Sequence, residues 1–253
     1  MSEWLVLSLA MAAAGAVVVT IVLINNRRVP ADDDPSDSPD VLEYMTMMIG
    51  VVYAIVLGLA IAGVWEARGA AQESVRQEAQ ALHEVVARSE VYPAEVRDRI
   101  RGDVDAYVSH VVDTEWTHMA DHQSLTDQGT ALLERVRRDV TDYVPADDHE
   151  AQAYQPLVDQ VAVADDARGS RAESAGATMP GVVWFGLITG AVVTVGLIFT
   201  LQIRRSWREL LLAGLFSALI AFLLFLIWDF DSPYGRDGAA TAPFADLFPH
   251  LGP

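Results

Sequence analysis

Four long runs of residues without a single charge dominate the pattern of hydrophobic and polar positions along the chain. They cover residues 4–24, 45–65, 181–203 and 210–228 and are 21, 21, 23 and 19 residues long. An α-helix rises 1.5 Å per residue, so each run reaches across a hydrocarbon core of about 30 Å. None of them has the polar stripe that a surface helix of a soluble protein shows. The pattern therefore predicts four transmembrane helices.

The region between the second and third runs has a different pattern, in which apolar residues recur at spacings of three and four. This spacing is typical of amphipathic helices, and no strand-like alternation occurs. Pro93 and Asp147 are typical helix-start residues, and Pro145 marks a helix end. The predicted helices cover about 66–89, 93–119, 126–144 and 148–174. Pro156 is expected to kink the last of them or delay its start.

The remaining segments are rich in proline, glycine, serine and aspartate. Residues 25–44 are expected to form an acidic linker, in which Asp32, Asp33 and Asp34 lack the spacing of a calcium loop. Residues 229–253 are expected to form a polar, solvated C-terminal tail.

The predicted fold class is an all-α integral membrane protein with four transmembrane helices. A four-helix extramembrane bundle, residues 66–179, is inserted between the second and third spans. Residues 1–65 and 180–228 carry the spans. Gly69 is the only residue near the junction of the second span and the first bundle helix that disfavours a helix. The span and the bundle helix can therefore form one continuous rod.

Composition narrows the function classes. The chain is 52% apolar with a mean hydropathy of +0.24, and yet its formal net charge is −18. Because 35 acidic residues oppose 17 basic ones, all of them arginine, a nucleic-acid partner is not expected. The absence of cysteine excludes disulfides and thiolate metal sites. The expected partners are the lipid bilayer, further copies of the chain and inorganic ions.

The arginines in the short loops predict the orientation. Arg27 and Arg28 follow the first span, and Arg204, Arg205 and Arg208 lie between the third and fourth spans. Arginine is enriched in cytoplasmic loops, so these loops are expected to be cytoplasmic. The protein is then a multi-pass cell-membrane protein whose termini and central bundle are extracytoplasmic.

The sequence contains candidate metal ligands but no catalytic motif. Glu115, His118 and His122 share one face of an ideal helix, but a di-iron site needs a second Glu-x-x-His motif, which is missing. A solvated polar face explains these residues equally well. His149, between acids at a helix start, fits either a divalent-ion cluster or a helix cap. No phosphate-binding loop, nucleophile elbow or His-Glu-x-x-His motif occurs, so neither enzyme activity nor a cofactor is expected.

Three segments of the chain carry a recognisable set of motif positions. These positions are Trp65, Glu66, Glu78, Tyr107, Glu115, Trp116, Asp231, Pro233 and Gly235. They resemble the bacterial bestrophin-like family, a group of membrane proteins of unknown function, and the resemblance runs from about 45 to 248. In the last motif, Ser232 and Tyr234 stand where the family pattern has arginine and phenylalanine. The resemblance implies a distant relation to bestrophins, which are pentameric chloride channels. It also implies a cytosolic bundle, contrary to the orientation that the arginines predict.

Two functions remain open. The protein is either an oligomeric channel-like protein or a non-conducting scaffold or sensor whose acidic bundle binds a partner or a cation. Since no span carries an aspartate, glutamate, lysine, arginine or histidine, a channel would need a pore between subunits. The second span is the expected lining, with Tyr53, Ile55, Leu59 and Ala62 in the pore and Glu66 at its outer end. Glu66 and the bundle, which has a net charge of −12, would favour cations.

Overall fold

A computed structural model describes residues 40–176, 179–201, 207–231, 234 and 241–251. This part of the chain is helical and contains no strand. The helices are α1 Asp40–Arg88, α2 Ala94–His110, α3 Trp116–His122, α4 Asp127–Thr141, α5 Asp148–Glu173, α6 Gly181–Leu201, α7 Trp207–Phe230 and α8 Ala242–Leu247. Short 3-10 turns cover Ser89–Val91 and Pro249–Leu251, and Val111–Glu115 forms a π-helical segment. The chain divides into two compact units.

The first unit, called the membrane unit, comprises the described residues among 40–65, 179–201 and 207–231. Two helical stretches are long and apolar enough to span a membrane, and they include the predicted second and fourth spans. The apolar helix α6 occupies the predicted third span, although its described side chains end at Leu197. The predicted first span, residues 4–24, lies outside the described residues, as do Asp32, Asp33 and Asp34.

One side of α1 is packed in the membrane unit. Tyr53, Leu57 and Val64 are buried with residues of α6 and α7. The Tyr53 hydroxyl donates a hydrogen bond of 2.8 Å to the carbonyl oxygen of Leu187. A Cβ atom at Gly190 would lie 2.6 Å from Tyr53 Cε2, so only glycine fits beneath this ring. The small residue at this position of α6 thus serves a contact inside the unit.

The second unit, called the bundle unit, comprises the described residues among 66–176, 234 and 241–251. Its first helix is the later part of α1, which runs through Gly69 as the continuous helix expected from the sequence. α2 packs against α4, and α4 packs against α5. The buried core includes Ala71, Val75, Leu82, Val96, Ile100, Val104, Leu132, Leu133, Val136, Val140, Leu157 and Val161.

The helix boundaries agree closely with the capping residues, with two differences. Thr126 and Asp147 cap α4 and α5, where each accepts a hydrogen bond from a backbone N–H three residues later. Pro156 lies inside α5 and does not delay its start at Asp148. The predicted helix 93–119 extends to His122 and is interrupted by the π-helical segment, which a pattern of fixed period could not indicate.

Three aromatic residues of the expected solvated tail are buried. Tyr234, Phe244 and Phe248 are all at most 4% exposed and belong to the core of the bundle unit. Phe244 and Phe248 follow one another at helical spacing around α8, so both aromatic rings reach one apolar surface. Burying such rings contributes several kcal/mol of favourable free energy. This gain keeps the segment packed, although its Pro, Gly and Asp content predicted a solvated tail.

Candidate functional site

The predicted pore residues do not all lie on one side of α1. Ile55 and Leu59 are 58% and 68% exposed, and Ala62 and Glu66 are exposed as well. These four residues are spaced by four, three and four positions, so they form one face, called here the open face. Tyr53 is only 7% exposed and lies in the packed interior of the membrane unit. Tyr53 is therefore not part of the open face.

A group of charged side chains is buried in the bundle unit. It is called the ionic cluster and consists of Glu78, Tyr107, Glu115, Arg168 and Arg171. Arg171 donates to Glu78 through Nε at 2.8 Å and through Nη2 at 3.0 Å, and it reaches Glu115 Oε1 at 2.9 Å. Arg168 donates to both oxygens of Glu115 at 2.6 and 2.9 Å. Two carboxylates face two guanidinium groups, so the cluster is neutral overall.

Tyr107 lies in the middle of the cluster. Its hydroxyl donates to Glu78 and accepts from Arg168 at 3.0 Å and from Arg171 at 3.3 Å. Burial and then the negative charge of Glu78 raise the pKa of Tyr107. The hydroxyl therefore remains protonated and continues to donate. Its three hydrogen bonds join side chains from three different helical elements.

The π-helical segment places Glu115 in this cluster. Such segments add a residue to a helical turn and occur often at functional sites. Glu115, the last residue of the segment, is 0% exposed, and Trp116 directly after it is 7% exposed. The N–H and the hydroxyl of Thr126 both donate to Glu115 Oε2, at 3.0 and 2.6 Å. Thr126 thus both caps α4 and donates two hydrogen bonds to Glu115.

Gly129 provides the space for this arrangement. A Cβ atom at this position would overlap Glu115 Oε2 and would lie 2.7 Å from Arg168 Nη2. Any other residue would therefore displace the Glu115–Arg168 ion pair. The N–H of Gly129 also donates to Thr126 Oγ1 at 3.1 Å, as part of the cap.

The arginines set the protonation state of Glu115. Burial alone would raise its pKa, but the hydrogen bond from Arg168, the charge of Arg171 and the hydrogen bond from Thr126 together lower the pKa to about 2. Burial also opposes the charge on Arg171, yet Glu78 and the other members of the cluster raise its pKa. Glu115, Arg168 and Arg171 are therefore ionised at neutral pH.

We expect acid to destabilise the protein through Glu115. Its pKa is lowered in the folded state from 4.5 to about 2, so its contribution is complete above about pH 5 and is lost as pH falls through about 2. The full difference corresponds to about 3 kcal/mol. Thermal unfolding in mild detergent between about pH 6 and about pH 2 measures this loss.

The Glu115→Gln variant is the reference for this experiment. It should be less stable than the wild type at neutral pH and should lose less stability on acidification. Identical slopes for the two proteins would show that Glu115 is not the titrating group.

The structure separates the candidate metal ligands. Glu115 faces the arginines, whereas the rings of His118 and His122 stack on each other with centroids 4.4 Å apart. Among the described residues, no group of three or more histidine or acidic side chains is placed to hold a metal ion. His149 is exposed. Asp147 caps α5, since it accepts from the N–H of Glu150 at 2.8 Å, and the Glu150 carboxylate accepts from the N–H of Ala146 at 2.7 Å.

Other motif positions have structural roles. Asp231 accepts hydrogen bonds from the N–H of Met179 at 2.7 Å and from Trp184 Nε1 at 3.1 Å, and so binds the residues at the start of α6. In the bundle unit, Tyr234 contacts Trp116 edge to face at 5.3 Å. Trp65 contacts Phe230 in the same way but remains 63% exposed. Pro233 and Gly235 lie outside the described residues.

Arg168 and Arg171 are the functional residues that sequence reasoning missed. They continue the inward stripe of α5, where Leu157, Val161 and Ala164 precede them at spacings of four and three. An arginine that falls in phase with such a stripe is a signal of a buried ion pair. α5 has two such arginines three residues apart, and the motif contains the acids Glu78 and Glu115. This combination could have predicted the cluster.

The family model of the bestrophin-like domain matches residues 11–240. The chain belongs to the bestrophin-like family. Three of the motif positions, Glu78, Tyr107 and Glu115, therefore lie together in the buried ionic cluster of this family member. No curated protein matches the chain.

Solved structures agree with this assignment. Two crystal structures of variants of a bacterial bestrophin homologue from Klebsiella pneumoniae are similar to the chain, with TM-scores of 0.71 and 0.70 at 12% identity. They cover 96% and 99% of this chain and 96% of their own chains. A crystal structure of a membrane protein covers 100% of both chains at 11% identity, with a TM-score of 0.68. At such identities the similarity concerns the fold alone.

Proposed function

We propose that this bestrophin-like protein is an oligomeric, channel-like membrane protein that passes ions between subunits. The observation that carries the proposal is the open face of α1, which is uncharged at Ile55, Leu59 and Ala62 and ends in Glu66. The face lies opposite the packed side with Tyr53 and supports a lining role, because a residue can line an intersubunit pore only if its own subunit leaves it exposed. The family membership supports a channel rather than an enzyme.

The charge of the lining favours cations. A carboxylate about 5 Å from an ion in water changes the ion's energy by about 1 kcal/mol. Several copies of Glu66 around one axis would therefore change the cation-to-anion permeability ratio by about tenfold or more. The net charge of −12 on residues 66–179 adds to the effect by concentrating cations near the pore.

We expect Glu66→Gln to lower the cation-to-anion permeability ratio by about tenfold without loss of the folded oligomer. The measurement is the reversal potential, or ion flux, of purified protein in liposomes under a salt gradient. Glu95→Gln is the matched control, because it removes one exposed carboxylate at the start of α2 and should leave the ratio unchanged.

Two results would overturn the channel proposal. One is the absence of flux from correctly folded wild-type protein. The other is a monomer or simple dimer in nanodiscs, since neither provides a central axis. Both would favour a scaffold or sensor that binds through its acidic bundle.

For orientation, we propose that the bundle is extracytoplasmic, as the loop arginines indicate. The chain has no cysteine, so single cysteines report topology without background. A membrane-impermeant maleimide applied to intact cells should label Val144→Cys, whose parent residue is 81% exposed in the bundle unit, and should not label Ser206→Cys. The reverse pattern would place the bundle in the cytosol.

A further inference from the structure

We propose that Glu78 and Arg171 are positioning residues that fix the rotation of α1 about its own axis, so that Glu66 faces the pore. This inference rests on the channel function proposed above. Glu78 and Arg171 are buried and do not contact the ion path. By fixing α1, they control the direction of Glu66, which does contact it.

The geometry of the pair is suited to this role. Arg171 contacts both oxygens of Glu78 in a fork of 2.8 and 3.0 Å, and both side chains are 0% exposed. A two-pronged ion pair restricts direction as well as distance, because its two hydrogen bonds are satisfied together in only one orientation. Tyr107 holds Glu78 from a second helix and further restricts the carboxylate.

The apolar contacts of α1 around this pair define rotation poorly. The buried apolar residues of α1 around Glu78 are Ala71, Val75, Ala79, Ala81 and Val85, which are small, and Leu82, the one long side chain among them. Short side chains interlock less deeply than leucine or phenylalanine, so apolar packing restricts the rotation of this part of α1 mainly through Leu82. The ionic pair provides the feature that distinguishes one rotation from its neighbours.

Stability alone is a weak explanation for the pair. Two charges lose their hydration when they are buried, and well-packed apolar residues of similar size usually stabilise a protein at least as well. The best supported role of buried polar groups is to specify one arrangement among similar ones. A pair between α1 and α5 fits that role in the bundle unit.

The rotation fixed at Glu78 extends to Glu66 along one helix. The two residues are 12 positions apart on α1, which is about 18 Å along the axis and about 120° around it in an ideal helix. α1 is continuous between them. This angle agrees with the burial of Glu78 and the exposure of Glu66.

The test replaces both partners and keeps the cluster neutral. In Glu78→Met/Arg171→Met, the Glu115–Arg168 pair remains and apolar side chains of similar length fill the space. We expect a folded oligomer whose permeability ratio falls about tenfold, to the value of Glu66→Gln. Adding Glu66→Gln to the double variant should then change the ratio no further. Glu84→Gln/Arg88→Gln, which removes an exposed ion pair of 3.0 Å from α1, should leave the wild-type ratio.

The outcomes are distinct. A double variant with the wild-type ratio, still sensitive to Glu66→Gln, would overturn the positioning role and leave the channel proposal intact. If Glu66→Gln alone leaves the cation-to-anion permeability ratio at the wild-type value, the proposed pore itself is overturned. If the double variant does not fold, Arg171→Lys decides, because lysine keeps the charge but loses the fork. A lower ratio in that variant supports the inference, and an unchanged ratio contradicts it.

Discussion

Arg171→Met lowers the free energy of unfolding by about 3–5 kcal/mol. The variant leaves Glu78 and Glu115 buried with only one guanidinium group, and an unbalanced buried charge is far more costly than a missing contact. Chemical denaturation in mild detergent, followed by circular dichroism, measures the loss.

Two comparisons isolate the cause of this loss. Arg76→Met removes an arginine that is 59% exposed and pairs with Glu73 on the surface, and it should cost at most about 1 kcal/mol. Glu78→Met/Arg171→Met should recover most of the stability, because the remaining cluster is neutral. Equal losses for Arg171→Met and Arg76→Met would mean that the cluster is not buried as described.

Gly129→Ala lowers the free energy of unfolding by about 3 kcal/mol, although alanine is normally the better helix former. The added methyl group overlaps the carboxylate of Glu115 and the guanidinium of Arg168, so the ion pair has to open or α4 has to move. Thermal unfolding of the purified variant measures the effect.

Gly102→Ala is the matched control for Gly129→Ala. Gly102 lies inside α2, and nothing lies within 4 Å of a Cβ built there. This variant should be unchanged or more stable by up to about 1 kcal/mol. A neutral effect of Gly129→Ala would mean that Glu115 and Arg168 can separate at little cost.

Much of the bundle was predictable because its helix ends are marked by residues with strong local preferences. Pro93, Thr126 and Asp147 act through their own backbone angle or side-chain oxygen, so their effect does not depend on distant parts of the chain. The buried residues of these helices, such as Ile100 and Val136, likewise follow the helical spacing of three and four that the sequence shows.

The cluster was only half predictable. Resemblance to the family identified Glu78, Tyr107 and Glu115, but a motif does not state what its residues contact. Arg168 and Arg171 resemble the other arginines of an acidic region unless their phase along α5 is examined. The π-helical segment was not predictable, because it depends on the contacts that Glu115 gains after it turns inward.

Tyr53 shows why the membrane helices are harder to interpret. A span that is apolar on every side gives no periodic signal of which face is packed, so the sequence could not separate Tyr53 from the exposed residues of the second span. Tertiary contacts with Leu187 and Gly190 decide the direction of this ring, and they involve residues more than 130 positions away.

The aromatic residues after α7 also constrain the order of events during biosynthesis. Phe244 and Phe248 complete the core of the bundle unit, yet the ribosome makes them after every helix from α1 to α7. The bundle therefore cannot complete its core until the segment after α7 has been made. Until then the half-formed bundle exposes apolar surface that chaperones and proteases can bind.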